Sequence, residues 1–575
     1  MPHSPPSDTP APPPLARSAR DWLVPALVAA AVALVVVTVL AAPSIPVLFT
    51  DGTLAMLVVV AALGLGAWPA RALLGPAVPR GQVFALAAAL GLGGLGLLTL
   101  ALGAAGFLNR PVAGAILVAG LVLAALRALE TWRAPSDGAR PALPAMPGDD
   151  ISAPPGGSAR VLRAALLALL AVPLGLGLVG ASIPPGILWD EENGGYDVLE
   201  YHLQGPREYF DAGRIRFLPH NVYASFPQQV EMLYLLLMHL AGDPWNAAIP
   251  AQFIHLFCGV LGVFALAAFA ATPAAGAKSA PWASAAVAAL AGSVPWLAYL
   301  GALAYVELGL LLFAAVAGGL LLAAVRDPRR ATARTLLAAG LCAGLAGGCK
   351  YTALVFVAAA LGVAWLLTAP LRWRRRILGV VVYGAGTLVA FGPWLVRNAV
   401  FTGNPVYPFA YRTFGGAAWS PEQDEQWARG HRLPPGRDTL ADRLAGIAKE
   451  WLTERRLGPA VIAAAAVGLV LARGRAAALL IAWLGVAVGA WALFTHMPGR
   501  FAVPTVAPLV LLAGLGLDAA RSPPVRYAFL GLLVIAAGWN NVTAVQDWLR
   551  QDAAWRARGM PLRELPGTTN LLRGL

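Results

Sequence analysis

The sequence has few charged residues. Asp, Glu, Lys and Arg make up 12% of its 575 residues, about half the usual share of roughly 25% in a soluble domain. Hydrophobic residues make up 58%, and the mean hydropathy is +0.67. A globule of this length has too little interior to bury so much apolar sequence. The composition therefore excludes a disordered chain, a secreted disulfide scaffold and an ordinary cytosolic enzyme, and it predicts a membrane protein.

Cysteine is also scarce. Cys258, Cys342 and Cys349 are the three in the chain, and all lie in apolar stretches. Their spacing is typical neither of a disulfide framework nor of a zinc site, so we expect no redox role for them. The formal charge of +13 does not indicate a nucleic-acid partner, because the basic residues form short clusters between apolar runs rather than one patch.

Long apolar runs are what the sequence has in abundance. A membrane-spanning helix needs roughly 20 apolar residues. About 15 such runs are present, and they predict an all-α polytopic membrane protein. The predicted spans are 22–42, 53–74, 83–107, 111–129, 164–183, 249–272, 283–300, 304–325, 335–349, 351–369, 377–396, 458–472, 476–494, 501–519 and 526–545.

The distribution of Lys and Arg predicts the orientation of these spans. With the N-terminus inside, more than half of the 42 basic residues lie inside, whereas the short outer loops hold only Arg110, Lys350 and Arg500. Two long polar segments, 184–248 and 397–457, then lie outside. Long loops on a rigid scaffold commonly carry function.

The same pattern predicts a division of the chain into parts. The first residues, rich in Pro and Ser, indicate a disordered tail, and the following apolar run is too long for the core of a signal peptide. An apolar run at 230–241 is too short to span, and we expect a juxtamembrane or re-entrant helix resting on the outer leaflet. The predicted parts are a cytoplasmic tail (1–20), an N-terminal four-helix transmembrane block (21–130), a cytoplasmic linker (131–163), a transmembrane core (164–545) with the two outer loops, and a short outer tail (546–575).

An acidic cluster opens the first outer loop. Seven of the 29 acidic residues lie between 190 and 211. If a helix begins near Tyr196, Asp197 and Glu200 share one face and Tyr201 lies one turn beyond Asp197. Charged loops beside a membrane are often only solvated, but a cluster next to two glycines that permit close backbone approach favours function. Binding of a divalent cation by residues 190–192 is an alternative that the sequence leaves open, because spacing alone does not define a coordination sphere.

Other ionisable residues are predicted at the same membrane face. Lys350 lies at the apex of a hairpin flanked by arginine clusters, where either a snorkelling role or an anion-binding role fits. Arg397 follows Trp394 and fits either an interfacial anchor or a ligand. Few ionisable residues lie at mid-bilayer, where a proton relay or a substrate path would need them. The pattern therefore predicts an outward-facing site at the lipid surface.

Acids and cations together at a lipid surface suit glycosyl transfer from a polyprenyl-phosphate sugar. Cleavage of the sugar–phosphate bond builds negative charge on the phosphate, which Lys or Arg stabilises. A carboxylate accepts the proton of the attacking hydroxyl.

At these residues the chain resembles the GT-C superfamily of polyprenyl-phosphate-sugar-dependent glycosyltransferases, over roughly residues 164–545. The resemblance is closest to bacterial relatives of protein O-mannosyltransferases and of the lipid A aminoarabinose transferase. The motifs that carry it are Trp189-Asp190-Glu191 or Tyr196-Asp197, Tyr201-His202, Pro206, Tyr209, Gly213-Arg214-Ile215, Phe226-Pro227, Lys350-Tyr351-Thr352, Pro393-Trp394 through Arg397-Asn398, Gly403-Asn404-Pro405, and Arg500-Phe501 with Pro504.

The resemblance implies a GT-C-like helical core with juxtamembrane helices in the first outer loop, and a reaction that inverts the sugar carbon. It implies Asp197 as the general base, with Asp190 as the second candidate. Lys350, Arg397 and Arg500 would bind the donor phosphate. The residues expected to contact sugar or acceptor are Glu191, Glu200, Tyr201, His202, Glu307, Asn398 and His496.

The expected partners are a polyprenyl-phosphate-linked sugar, membrane lipids, and a lipid, glycan or protein acceptor. We expect no required cofactor, although a divalent cation remains an open alternative, and no metal ligand is assigned. We expect a multi-pass protein of the bacterial plasma membrane, with its site on the extracytoplasmic face. Two alternatives remain open at this point: a transporter or flippase of lipid-linked saccharides, and a ligase or polymerase that uses diphosphate-linked glycans.

Overall fold

The computed structural model describes residues 31–76, 78–133, 157–189, 195–272, 283–433, 436 and 438–568. Throughout this part of the chain the regular structure is helical, without β-strands, which confirms the predicted all-α class. The predicted cytoplasmic tail and most of the linker lie outside the described residues, as do Asp190 and Glu191.

Ten helices in the described ranges are long and apolar enough to cross a membrane. The protein is therefore a multi-pass membrane protein, as predicted. The ten are α1 (Ser44–Leu74), α2 (Arg80–Ala105), α3 (Arg110–Glu130), α4 (Ala165–Ser182), α5 (Ala248–Ala270), α6 (Glu307–Arg326), α7 (Trp373–Thr402), α8 (Arg475–Phe494), α9 (Gly499–Ala519) and α10 (Pro523–Ala557).

The other five predicted spans coincide with shorter or broken apolar helices. One is a pair of helices bent by 60° at Pro295, which begins the second of them; a proline is tolerated in the first turn of a helix but not in its interior. The bent pair is Ala283–Gly292 with Pro295–Gly301, and three shorter helices are Ala333–Cys349, Leu354–Thr368 and Pro459–Leu471. The remaining predicted span, 22–42, is described only from residue 31, as the helical stretch Ala31–Ala41.

Short helices fill the two long polar loops. The first loop holds Val198–His202, Gln204–Asp211, Val222–Ser225 and Glu231–Ala241, and the second holds Tyr411–Phe414, Pro421–Gly430, Leu440–Ala448 and Lys449–Thr453. The helix Glu231–Ala241 does not rest on lipid as expected. Its residues 231–239 are buried, because it packs against α2, α5 and the helix Gln204–Asp211.

The N-terminal helices pack directly on the rest of the molecule. Helix α1 contacts α2 so closely that a Cβ atom at Gly66 would lie 1.9 Å from the carbonyl oxygen of Ala87. Small residues permit such backbone contact between helices in a membrane. Helix α2 in turn contacts α5, Glu231–Ala241 and Ala333–Cys349. Helix α1 also contacts α5 and Ala333–Cys349, and α3 contacts Glu231–Ala241. The four-helix block is thus joined to the core through several helices, of which α2 is one.

Helix α6 lies at the centre of the molecule. All of its residues from Glu307 to Val325 are buried, and its neighbours include α5, α8, α9 and the helix Ala333–Cys349. Its N-terminal residue, Glu307, is therefore held inside protein at one end of the bundle, where the site described next is found.

Candidate active site

Four charged side chains meet at one end of the helix bundle, and we call Asp197, Glu307, Lys350 and Arg500 the charge cluster. Arg500 forms an ion pair with Asp197 through Nη2 and Oδ2. Lys350 Nζ lies 3.0 Å from Glu307 Oε1, and Arg500 Nε lies 3.9 Å from the same oxygen. Glu307 therefore stands between the two cations.

Each member of the charge cluster stands at the end of a helical element. Glu307 is the first residue of α6, and Lys350 ends the helix Ala333–Cys349 with an extended backbone at φ −160°. Arg500 is in the first turn of α9, and Asp197 directly precedes the π-helical turn Val198–His202. The four elements bring together residues up to 303 positions apart in sequence. The structure thus brings four of the predicted site residues together at one end of the helix bundle.

The charge cluster is largely shielded from solvent. The exposed fraction of the side chain is 3% for Glu307, 15% for Lys350 and for Arg500, and 24% for Asp197. Buried charges need partners, and their interactions are stronger than in water. Burial lowers the pKa of Lys350, an effect that Glu307 opposes and Arg500 strengthens. Asp197 is the most accessible of the four.

Aromatic rings line the charge cluster. Lys350 Nζ lies 3.7 Å from the centroid of the Phe501 ring, and Arg500 Cζ lies 4.8 Å from that of Tyr305, both within the range of cation–π attraction. The Tyr201 hydroxyl donates a hydrogen bond to Asp197 Oδ2 at 3.5 Å. Burial, with the charge of Asp197, raises the pKa of Tyr201 well above its usual value. Because its pKa is raised, the Tyr201 hydroxyl keeps its proton and remains a hydrogen-bond donor to the Asp197 carboxylate.

A buried His–Glu pair lies behind Tyr201. His202 Nδ1 is 2.7 Å from Glu231 Oε1, and the two side chains are 4% and 2% exposed. The His202 ring also contacts Tyr201 at 4.1 Å and Tyr305 at 5.3 Å between centroids. His202 was predicted from the sequence as a site residue, whereas Glu231 was not. An acid at the start of an apolar run was the signal that could have revealed it.

Arg397 and Asn398 contact a different set of groups. The Arg397 guanidinium donates to the carbonyl oxygens of Ser225 and, at 2.8 Å, Phe226. Asn398 Nδ2 donates to the Ser225 carbonyl and to the Tyr351 hydroxyl, at 2.9 Å each. These bonds fasten the first outer loop to α7. Their geometry favours a structural clamp over the predicted binding of the donor phosphate.

The remaining predicted residues lie around the rim. The main-chain oxygen of Glu200 accepts a hydrogen bond of 2.8 Å from Asn221, and the charge of Glu200 raises the pKa of Tyr196. The His496 ring lies 6.1 Å from that of Phe501, which touches both cations. Burial lowers the pKa of His496, with His431, Arg500 and Lys350 adding to the effect.

Metal binding finds no support in the described part of the chain, where no group of three His, Cys, Asp or Glu side chains could hold an ion. The acids at 190–192, for which a cation was left open, lie outside that part.

The second outer loop covers the first beside the charge cluster. Trp427, on the helix Pro421–Gly430, lies 5.2 Å from Tyr223 and 5.8 Å from Phe226 between ring centroids. Tyr223 stacks on Tyr201 at 5.2 Å with an interplanar angle of 18°. This aromatic row connects the second loop to the residue that hydrogen-bonds Asp197. Neither Tyr223 nor Trp427 was predicted from the sequence as a site residue.

An apolar groove of about 440 Å³ lies between the helix Leu354–Thr368 and α7. Its lining includes Gly362, Tyr383 and Phe391. The Phe391 ring lies 6.1 Å from that of Tyr351, the residue that follows Lys350. The Phe391 end of the groove therefore lies near Tyr351.

Comparison with known proteins finds two similar solved structures, while no protein-family model and no curated protein matches the chain. One is the crystal structure of ArnT from Cupriavidus metallidurans bound to undecaprenyl phosphate, with a TM-score of 0.42 and 18% identity over 64% of this chain and 62% of that one. The other is the apo state of the same protein, with a TM-score of 0.43 and 19% identity over 64% and 61%. The matched region thus spans about three fifths of those structures.

Proposed function

We propose that the chain is a membrane glycosyltransferase of the GT-C type. It transfers a sugar from a polyprenyl-phosphate donor to an acceptor hydroxyl at the outer face of the membrane. The observation that carries this proposal is the charge cluster, in which one accessible carboxylate and two cations are held together at the end of a buried helix.

Lys350 and Arg500 are the proposed ligands of the donor phosphate. The phosphodiester of such a donor carries one negative charge, and cleavage of its bond to the sugar adds further charge to the leaving phosphate. Two cations fixed in a poorly solvated site stabilise that added charge without reorganising. Glu307 holds both cations through one oxygen, which supports a role in placing the phosphate ligands rather than the predicted contact with sugar.

The apolar groove supports a lipid donor. Its walls are almost entirely apolar side chains of the helix Leu354–Thr368 and α7, and its lining residue Phe391 lies 6.1 Å from Tyr351, the residue after Lys350. We assign this groove to the polyprenyl tail of a donor whose phosphate binds at Lys350.

Asp197 is the proposed general base. In the structure its carboxylate is paired with Arg500, so a donor phosphate that takes up Arg500 also releases the carboxylate. The acceptor oxygen then attacks the anomeric carbon while its proton passes to Asp197. The bond between that carbon and the phosphate oxygen breaks, and polyprenyl phosphate leaves. A single displacement inverts the carbon, and Tyr201 keeps the carboxylate oriented through its hydrogen bond.

The reaction can be tested on purified protein in detergent. Radiolabelled undecaprenyl-phosphate-linked sugars are incubated with an extract of bacterial envelope lipids and glycans as acceptor source, and free undecaprenyl phosphate is measured. We expect release of the free lipid phosphate only when the extract is present. Binding of the lipid-linked sugar without any release would instead identify a transporter or flippase, and release from diphosphate-linked donors alone would identify a ligase or polymerase.

A further inference from the structure

The N-terminal four-helix block, to which the sequence assigned no role, makes a polar contact near the charge cluster. Gln229 lies in the first outer loop, just before the helix Glu231–Ala241. Its side-chain Nε2 donates a hydrogen bond of 2.8 Å to the carbonyl oxygen of Gly93 on α2. The side chain is buried, with 1% of the residue exposed. A buried amide that donates to a helix of another part fixes the two parts relative to each other.

The backbone of the same glutamine reaches the turn that carries Lys350. The Gln229 N–H donates to the carbonyl oxygen of Gly348 at 2.9 Å. Gly348 is in the last turn of the helix Ala333–Cys349, where carbonyl groups lack donors from their own helix. Lys350 follows two residues later. Gln229 thus connects α2 to the turn that carries Lys350.

Glycines on both sides leave room for this connection. A Cβ atom at Gly96 of α2 would lie 2.3 Å from Gln229 Nε2 and 2.7 Å from its main-chain oxygen. A Cβ atom at Gly348 would lie 3.2 Å from Gln229 Oε1 and 2.9 Å from Trp394 Nε1. Gly94, on the same helix, has no neighbouring atom within 4 Å. The close approach therefore belongs to the face of α2 that meets Gln229.

We propose that Gln229 is a positioning residue, through which the N-terminal block holds Lys350 in place for the donor phosphate. The flexible side chain of a lysine binds a phosphate well only when its backbone is held. Lys350 receives that support from Glu307 at its ammonium group and from Gln229 at the helix end behind it. The role in donor binding rests on the proposed function, whereas the link between α2 and the Lys350 turn does not.

The test compares two glycine variants of α2. Gly96→Ala displaces Gln229, and Gly94→Ala, two residues away, adds the same methyl group in open space. We expect Gly96→Ala to weaken the binding of undecaprenyl phosphate by about tenfold, because a buried hydrogen bond is displaced. The KM for the donor should rise by a similar factor. Amide hydrogen exchange in residues 347–353 should become faster. Gly94→Ala should match the wild type in all three measurements.

If Gly96→Ala fails to fold, two glutamine substitutions provide a second test. Gln229→Met removes the amide at nearly constant volume. Gln82→Met is the matched control, because Gln82 Nε2 donates at 2.6 Å to Thr272 and so joins α2 to the rest of the molecule at its other end. Only Gln229→Met should change lipid binding and the exchange of residues 347–353.

Two results would overturn the inference: wild-type exchange at 347–353 in Gly96→Ala and Gln229→Met, or equal changes in Gln229→Met and Gln82→Met. A wild-type protein that binds no undecaprenyl phosphate would refute the proposed function instead. The exchange measurement would then still decide whether α2 holds the Lys350 turn.

Discussion

At the scale of single residues, Glu307 determines how the two cations of the site are held. It is the first residue of the central helix, 2% exposed, and one of its oxygens lies within 3.9 Å of both Lys350 and Arg500. An acid in the first turn of a helix is also stabilised by the helix dipole. Burial lowers the pKa of Lys350, and the charge of Glu307 opposes that effect.

Glu307→Gln tests this role of the carboxylate. Glu307 raises the pKa of Lys350, so its loss lowers that pKa, and Lys350 then loses its proton at a lower pH. We expect kcat/KM to fall by at least about tenfold, because a buried ion pair loses one partner. The alkaline limb of the pH–activity profile should also move to lower pH. A profile with an unmoved alkaline limb would contradict the account.

Tyr201→Phe tests the hydrogen bond to the proposed base. The hydroxyl lies 3.5 Å from Asp197 Oδ2. Its loss removes a hydrogen bond worth roughly 1 kcal/mol, which orients the carboxylate. We expect kcat to fall about fivefold with the donor KM unchanged. Tyr223→Phe is the control, since the Tyr223 ring stacks on Tyr201 and would keep that contact. Equal effects of the two changes would argue against a role for the Tyr201 hydroxyl.

At the scale of structural elements, the clamp formed by Arg397 and Asn398 on α7 lies next to the charge cluster, since Asn398 bonds to the hydroxyl of Tyr351, but it fastens a different segment. Arg397 and Asn398 satisfy the carbonyl groups of Ser225 and Phe226, so they hold the segment that leads into Gln228 and Gln229. Lys350 instead belongs to the charge cluster, at the end of the helix Ala333–Cys349. Substitution of Arg397 and substitution of Lys350 should therefore affect protein stability and lipid binding differently.

Arg397→Ala and Lys350→Ala provide the comparison, measured by thermal unfolding in detergent with and without undecaprenyl phosphate. Arg397→Ala should cost about 2 kcal/mol through unpaired carbonyl groups, and the lipid should still raise its midpoint of unfolding. Lys350→Ala should lose most of the stabilisation by lipid. If Arg397→Ala also lost it, Arg397 would be a phosphate ligand, as the sequence resemblance implied.

At the scale of the whole molecule, the account requires both polar loops to lie outside the cell. The three cysteines are buried, which gives a low background for labelling with a membrane-impermeant maleimide. Glu425→Cys places a thiol on an exposed residue of the second outer loop, and Arg329→Cys places one on a side chain that is 82% exposed in a predicted inner loop. In intact cells we expect labelling of Glu425→Cys alone, and of both after permeabilisation. The reverse pattern would place the charge cluster inside.

Sequence alone predicted the helices better than the contacts between them. Apolar runs mark helices because lipid demands them, and each predicted span coincides with a helix or a bent pair. The sequence also named all four members of the charge cluster. It could not pair Asp197 with Arg500, since that contact depends on how α9 packs. It missed Glu231 and left Gln229 without a role, because buried polar residues in loops resemble ordinary polar sequence until the fold gives them partners.

The central claim is that Asp197 takes the proton of the acceptor during sugar transfer. The most direct measurement is acceptor-dependent release of undecaprenyl phosphate from its labelled sugar derivative by wild-type protein, by Asp197→Asn, and by Asp211→Asn. Asp211 is an exposed acid of the same loop and serves as the control. We expect Asp197→Asn to lower the rate at least about 100-fold while lipid binding persists, and Asp211→Asn to retain activity. Full activity in Asp197→Asn would contradict the account.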